Sequence, residues 1–100
     1  MKKEIIQELY NGFEAAAVEV EDVECWSARE LQLLLGYSKW ENFSKVIDKA
    51  KIACGIAGYL VSDHFPDVRK MVHLGSGSER EIDDILLTRY ACYLIAQNGD

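Results

Sequence analysis

The sequence predicts a mainly helical α+β domain with one core, and three observations carry that expectation. A Ser-x-x-Glu pattern occurs twice, as Ser27-Ala28-Arg29-Glu30 and Ser38-Lys39-Trp40-Glu41. In this pattern the Ser and Glu side chains each satisfy a backbone N–H that the first helical turn leaves unbonded, so each copy marks a helix start. Apolar residues recur at helical spacing in several stretches, and Gly75-Ser76-Gly77-Ser78 separates two stretches of extended character.

In KEIIQELYNGFEAA, Ile5, Ile6, Leu9, Tyr10 and Phe13 form a one-sided stripe, which predicts a first helix with Glu4, Glu8 and Glu14 on its solvated face. AVEVEDVECW alternates Val18 and Val20 with Glu19 and Glu21, which predicts an extended segment reaching Trp26; in the competing reading the alanines prolong the helix. The first capping pattern opens a helix from Ala28 to about Leu35, closed by Gly36, which supplies the left-handed residue such an ending needs. The second opens a helix from Lys39 to about Cys54. Trp40, Phe43, Val46, Ile47, Ala50, Ala53 and Cys54 share one side of it, with Asn42, Lys45 and Lys49 flanking the other. A short helix, a turn with Gly and a longer helix make a helix-turn-helix pattern.

Beyond Gly55 and Gly58, Val68–Leu74 and Arg80–Leu86 read as the strands of a hairpin around the Gly-Ser loop. The competing reading makes Pro66 the first residue of a helix ended by Gly75. In LTRYACYLIAQNG, Leu87, Tyr90, Ala91, Leu94 and Ile95 share a face behind Thr88, which predicts a last helix. No repeat, low-complexity tract or second-domain boundary interrupts the chain, which reads as a single domain over 1–100.

Composition narrows the function classes. The chain has 100 residues, 49% apolar and 28% charged, which describes a globular domain of narrow stability margin that could gain from a partner or from homodimerisation. No apolar run reaches the ~18 residues of a membrane span, and MKKEIIQELY lacks the apolar core of a signal peptide, so a cytoplasmic protein with no membrane partner is expected. Cys25, Cys54 and Cys92 are odd in number and widely spaced, which predicts reduced, buried thiols rather than disulfides or zinc ligands. The net charge of −6 argues against a generic polyanion binder, yet its distribution is uneven: residues 1–24 carry −5, residues 25–54 carry +2 and residues 55–100 carry −3.

The basic middle segment therefore holds the candidate nucleic-acid contacts. Lys39, Asn42, Lys45 and Lys49 on the third helix supply donors for phosphates and base edges, with Arg29 and Lys51 beside them. The bland reading is a helix pair of the kind many proteins carry without touching DNA, and Gln32 stands where the pattern usually has a small residue. Arg69, Lys70 and Arg80 would add a basic wing on the hairpin, although Glu79, Glu81, Asp83 and Asp84 favour an internally paired surface hairpin. Trp26, Tyr37 and Trp40 surround the turn and are expected to pack rather than stack on bases.

Other constellations point to bland roles. GSGSER lacks the P-loop lysine and reads as a turn. His64 and His73 lack metal-ligand spacing, and Cys92 reads as a structural thiol rather than a nucleophile, so neither enzyme activity nor a metal or cofactor is expected.

The stretches ECWSARELQLLLGYSKWENFSKVIDKAKIAC, DHFPDV, KMVHLGSGSEREIDD and LTRYACYLIAQNGD resemble the bacterial DNA-damage-inducible protein D family over roughly residues 10–100. The N-terminal region of that family looks like the Bro-N domain of phage antirepressors. The resemblance implies a non-enzymatic role in the DNA-damage (SOS) response, with DNA or a DNA-repair or regulatory protein as partner. It also implies that the family's proteins continue past QNGD, so Tyr90, Leu94 and Ile95 are expected to await a neighbour beyond residue 100.

Overall fold

The computed structural model describes residues 3–99, with side chains described from Gln7 onward. Five helices and four strands form a single α+β domain: α1 (Lys3–Ala16), β1 (Val18–Val20), β2 (Val23–Ser27), α2 (Ala28–Leu34), α3 (Trp40–Ile56), α4 (Val61–His64), β3 (Asp67–His73), β4 (Glu79–Leu87) and α5 (Arg89–Asn98). The strands make one antiparallel sheet in the order β1-β2-β4-β3.

The extended segment before Trp26 is a complete hairpin. Val20 pairs with Val23, and Glu21 and Asp22 turn the chain with φ of 51° and 66°. Two successive positive φ values define the turn whose twist matches that of the flanking strands. The hairpin around Gly77 forms as expected, paired from Asp67↔Ile85 to His73↔Glu79, and Pro66 precedes a strand instead of opening a helix.

Helix α2 is held at both ends. Ser27 Oγ accepts from Glu30 N, and at the other end Tyr37 N donates to Gln32 O while Gly36 N donates to Leu33 O, with Gly36 at φ 81°. This is the paired ending that a left-handed glycine permits. Gln32 is buried and its Nε2 donates to Tyr37 O, so the residue that departs from the small-residue expectation staples the turn from inside. The second capping pattern does not form: Lys39 occupies the N-cap of α3 without a side-chain cap, and Ser38 lies outside the helix. At its far end α3 runs to Ile56 and closes at Gly58 (φ 92°) with the same pair of bonds, Tyr59 N to Cys54 O and Gly58 N to Gly55 O. Gly55, with no left-handed φ, is absorbed as a helical residue.

The core gathers Trp26, Leu31, Phe43, Ile47, Phe65, Leu87, Leu94 and Ile95. Trp26 stacks on Phe13 with centroids 4.3 Å apart, and its Nε1 donates to Phe13 O at 2.7 Å. Helix α1 crosses α2 closely, since a Cβ on Gly12 would meet Leu34 Cδ2 at 3.1 Å. The stripe on α1 is covered only in part: Phe13 packs against the core, whereas Leu9 and Tyr10 are exposed, and the side chains of Ile5 and Ile6 lie outside the described ones. Leu94 and Ile95 are buried and Tyr90 half-buried, because α3 lays its apolar side on α5. Within the described residues, α3 therefore covers the face that Tyr90, Leu94 and Ile95 share. The two helices joined at Gly36 are anchored separately, α2 on α1 and β4, α3 on α5.

Candidate nucleic-acid interface

Helix α3 turns by about 100° per residue, so its buried residues Phe43, Val46, Ile47, Ala50 and Cys54 leave the opposite side to water. Asn42, Lys45 and Lys49 stand exposed on that side and, with Tyr37 and Val46, border a surface depression of about 310 Å³. Lys39 is exposed at the head of the helix. None of Lys39, Lys45, Lys49 or Lys51 has an acidic side chain within ion-pair distance among the described residues. Lys51 does not join the others: two positions past Lys49 is about 200° around the helix, which puts it, half-buried, on the far edge.

Arg29 serves the fold. Its Nε donates to Asp83 O at 2.9 Å, and its guanidinium carbon lies 4.1 Å from the centroid of the Trp40 ring. That cation–π contact ties the start of α3 to β4 through α2. Beside it, Asp84 is only 3% exposed and accepts from Ser27 Oγ at 2.5 Å, Arg29 N at 3.1 Å and Ile85 N at 2.8 Å. Ser27 therefore donates to Asp84 while accepting from Glu30 N, and the carboxylate sits at a helix N-terminus, where negative charge is favoured. This hub was not foreseen. Its signal lay in strand alternation, which puts Asp84 on the half-buried face of β4 with Ile82.

Two of the three predicted hairpin cations are occupied. Arg69 pairs with Glu81 at 3.5 Å and Asp83 at 3.9 Å, and Lys70 with Glu30 at 3.4 Å. Arg80 is exposed without an ion pair among the described residues. One face of the hairpin carries Asp67, Glu79, Glu81 and Asp83 against Arg69, which makes it an acidic surface. Arg89 lies outside the predicted set. It bonds Glu24 at 3.0 Å and Glu14 at 3.2 Å and sits over the Trp26 ring, joining α1, β2 and α5. Hydrogen bonds to Glu24 and then Glu14 push its pKa up further.

All three thiols are free and buried. Burial pushes Cys92 up to about 12, against the opposing pull of Arg89, and also raises Cys25 and Cys54. Such groups hold negligible thiolate near neutral pH. His64 Nδ1 lies 2.7 Å from Thr88 Oγ1, while His73 is exposed, 4.0 Å from Glu79. Among the described residues no group of three or more His, Cys, Asp and Glu is placed to hold a metal, and no helix is long and apolar enough to cross a membrane.

Residues 15–100 match the family model described as "BRO family, N-terminal domain". The chain belongs to that family. It is also similar to "DNA damage-inducible protein D" of Escherichia coli (strain K12), with 46% identity over 87 residues, which is 87% of this chain and 32% of that protein. The chain thus spans about a third of the length of the curated relative it matches. No solved structure matches it. The Bro-N match covers β1 through α5, so Asp84, Arg29 and the α3 lysines all fall within the shared domain.

Proposed function

We propose that this Bro-N domain is a non-enzymatic regulatory module of the DNA-damage response that binds nucleic acid along α3. Lys39, Lys45 and Lys49 neutralise backbone phosphates, and Asn42 stands among them as a donor and acceptor for a base edge. The observation that carries this reading is the contrast in pairing. Arg69, Lys70 and Arg89 are held by carboxylates and Arg80 stands alone, whereas Lys39, Lys45 and Lys49 gather, exposed and unpaired among the described residues, on a chain of net charge −6. In this reading α2, the Gly36 turn and α3 work as a helix-turn-helix, with α3 against the nucleic acid and Arg29 bracing it from behind. The hairpin acts as a support, since its acidic face would repel phosphates.

The relative's printed name, a DNA damage-inducible protein, supports the setting. Gel-shift titrations with single- and double-stranded DNA at low and physiological salt test the reading. Binding is expected at low salt and should weaken at least ~10-fold on K45E/K49E with the fold intact. No binding to either form at both salts would remove the reading and favour a module that acts only through a protein partner.

A further inference from the structure

Along the exposed side of α3, Asn42, Lys45, Lys49, Ile52 and Ile56 follow one another at intervals of three, four, three and four residues. This is the spacing of a seam between two helices wound side by side. Its first half is cationic and its second half apolar. Ile52 and Ile56 are 65% and 83% exposed, an unusual position for two isoleucines one turn apart, and Leu60 just beyond the helix is also exposed.

From this seam we infer a docking site for an amphipathic α-helix of a partner protein that carries two carboxylates at one end of its apolar stripe. The seam is not self-complementary, which excludes a second copy as its natural occupant. In a parallel pair Lys45 and Lys49 meet their own copies. In an antiparallel pair centred between Lys49 and Ile52, each lysine lies on an isoleucine and loses water without gaining a carboxylate. Centring on Ile56 keeps the lysines apart, but then only Ile52, Ile56 and Leu60 of each chain can touch, far short of the ~1,200 Å² of a stable interface. A partner helix with acids opposite Lys45 and Lys49 and aliphatics opposite Ile52 and Ile56 satisfies all four positions. Glu41 and Asp48 border the seam on one side and favour a basic residue on the partner's matching flank. The site shares Lys45 and Lys49 with the nucleic-acid reading but does not rest on it, because Ile52 and Ile56 have no role there. If both hold, the helix and DNA exclude each other.

The test uses a labelled synthetic peptide of about 15 residues, roughly four turns, with two leucines and two glutamates at seam spacing, made in both sequence orders. A control peptide carries lysines in place of the glutamates. Fluorescence anisotropy is expected to show binding of one order by the wild-type chain. Binding should weaken at least ~10-fold in I52Q/I56Q, in K45Q/K49Q and with the lysine control. Circular dichroism should show I52Q/I56Q folded as the wild type, and that variant should keep its affinity for duplex DNA. Failure of both peptide orders to bind, or binding insensitive to I52Q/I56Q, overturns the inference. So does a stable wild-type dimer that I52Q/I56Q dissolves in light scattering. Loss of DNA binding alone in the wild type sinks the nucleic-acid reading and leaves the peptide result standing.

Discussion

Helix α3 and the β3–β4 hairpin look alike in sequence, each with three basic residues among scattered acids, and the structure treats Arg69 and Lys70 of the hairpin in the opposite way to Lys45 and Lys49 of α3. Antiparallel pairing sets Arg69 directly across from Asp83 and diagonally from Glu81, so its charge is met within the sheet. On α3, Glu41 lies one turn before Lys45, yet the pair does not close to ion-pair distance. Such a pair contributes only ~0.3–0.5 kcal/mol, too little to compete with a phosphate. Local charge density therefore does not locate a binding face; what matters is whether the backbone geometry supplies partners.

The comparison breaks most visibly at Asp84. If the hairpin is a support, Asp84→Ala should destabilise the domain by ~2–4 kcal/mol in urea unfolding, because it strips the Ser27 hydroxyl and the Arg29 N–H of a buried acceptor. Asp83→Asn, one residue away on the exposed face, keeps its backbone carbonyl for Arg29 and should change stability by less than ~0.5 kcal/mol. Equal effects would mean that the hub is not what anchors α2.

Alkaline titration gives the next largest effect. The raised pKa of Cys92 means that the unfolded chain gives up its proton near the ordinary thiol value, while the folded chain holds it to about 12. The stability contribution is complete below the unfolded pKa of 9 and is lost as pH climbs from about 9 toward 12. The loss from Cys92 should approach ~1.4 kcal/mol per pH unit in that window, and C92A should lessen the slope in urea unfolding series. A slope unchanged by C92A would contradict a buried neutral thiol. At the turn that presents α3, Gly36→Ala should cost about 1 kcal/mol, since φ of 81° disfavours any side chain although open space surrounds the site. The smallest effect is expected from Arg69→Gln: its exposed pairs should add less than ~1 kcal/mol to stability.

Much of this was legible before any coordinates. Ser27, Gly36 and Thr88 placed helix ends because capping is a local matter of which side chain meets which N–H. The Gly-Ser loop placed the hairpin, since only permissive residues turn there. Ser38 misled because the same local pattern offered a start one residue before the helix began. The turn at Glu21 and Asp22 escaped because neither is glycine, and its left-handed backbone is imposed by Val20↔Val23 pairing. Within the candidate site, the exposure of Asn42, Lys45 and Lys49 followed from helical periodicity alone. The use of Arg29 as a brace, and the pairing of Lys70 with Glu30 forty residues earlier, depend on contacts between distant elements that no short window contains.

The central claim is that the α3 lysines, and not the hairpin cations, meet nucleic acid. The salt dependence of duplex binding tests it most directly, measured for the wild type, K45Q/K49Q and R69Q/R80Q. Each phosphate contact contributes about 0.9 to the slope of log affinity against log salt, so the α3 variant should lose about 1.8 while the hairpin variant stays at the wild-type slope. A slope that falls for R69Q/R80Q and holds for K45Q/K49Q would contradict the assignment.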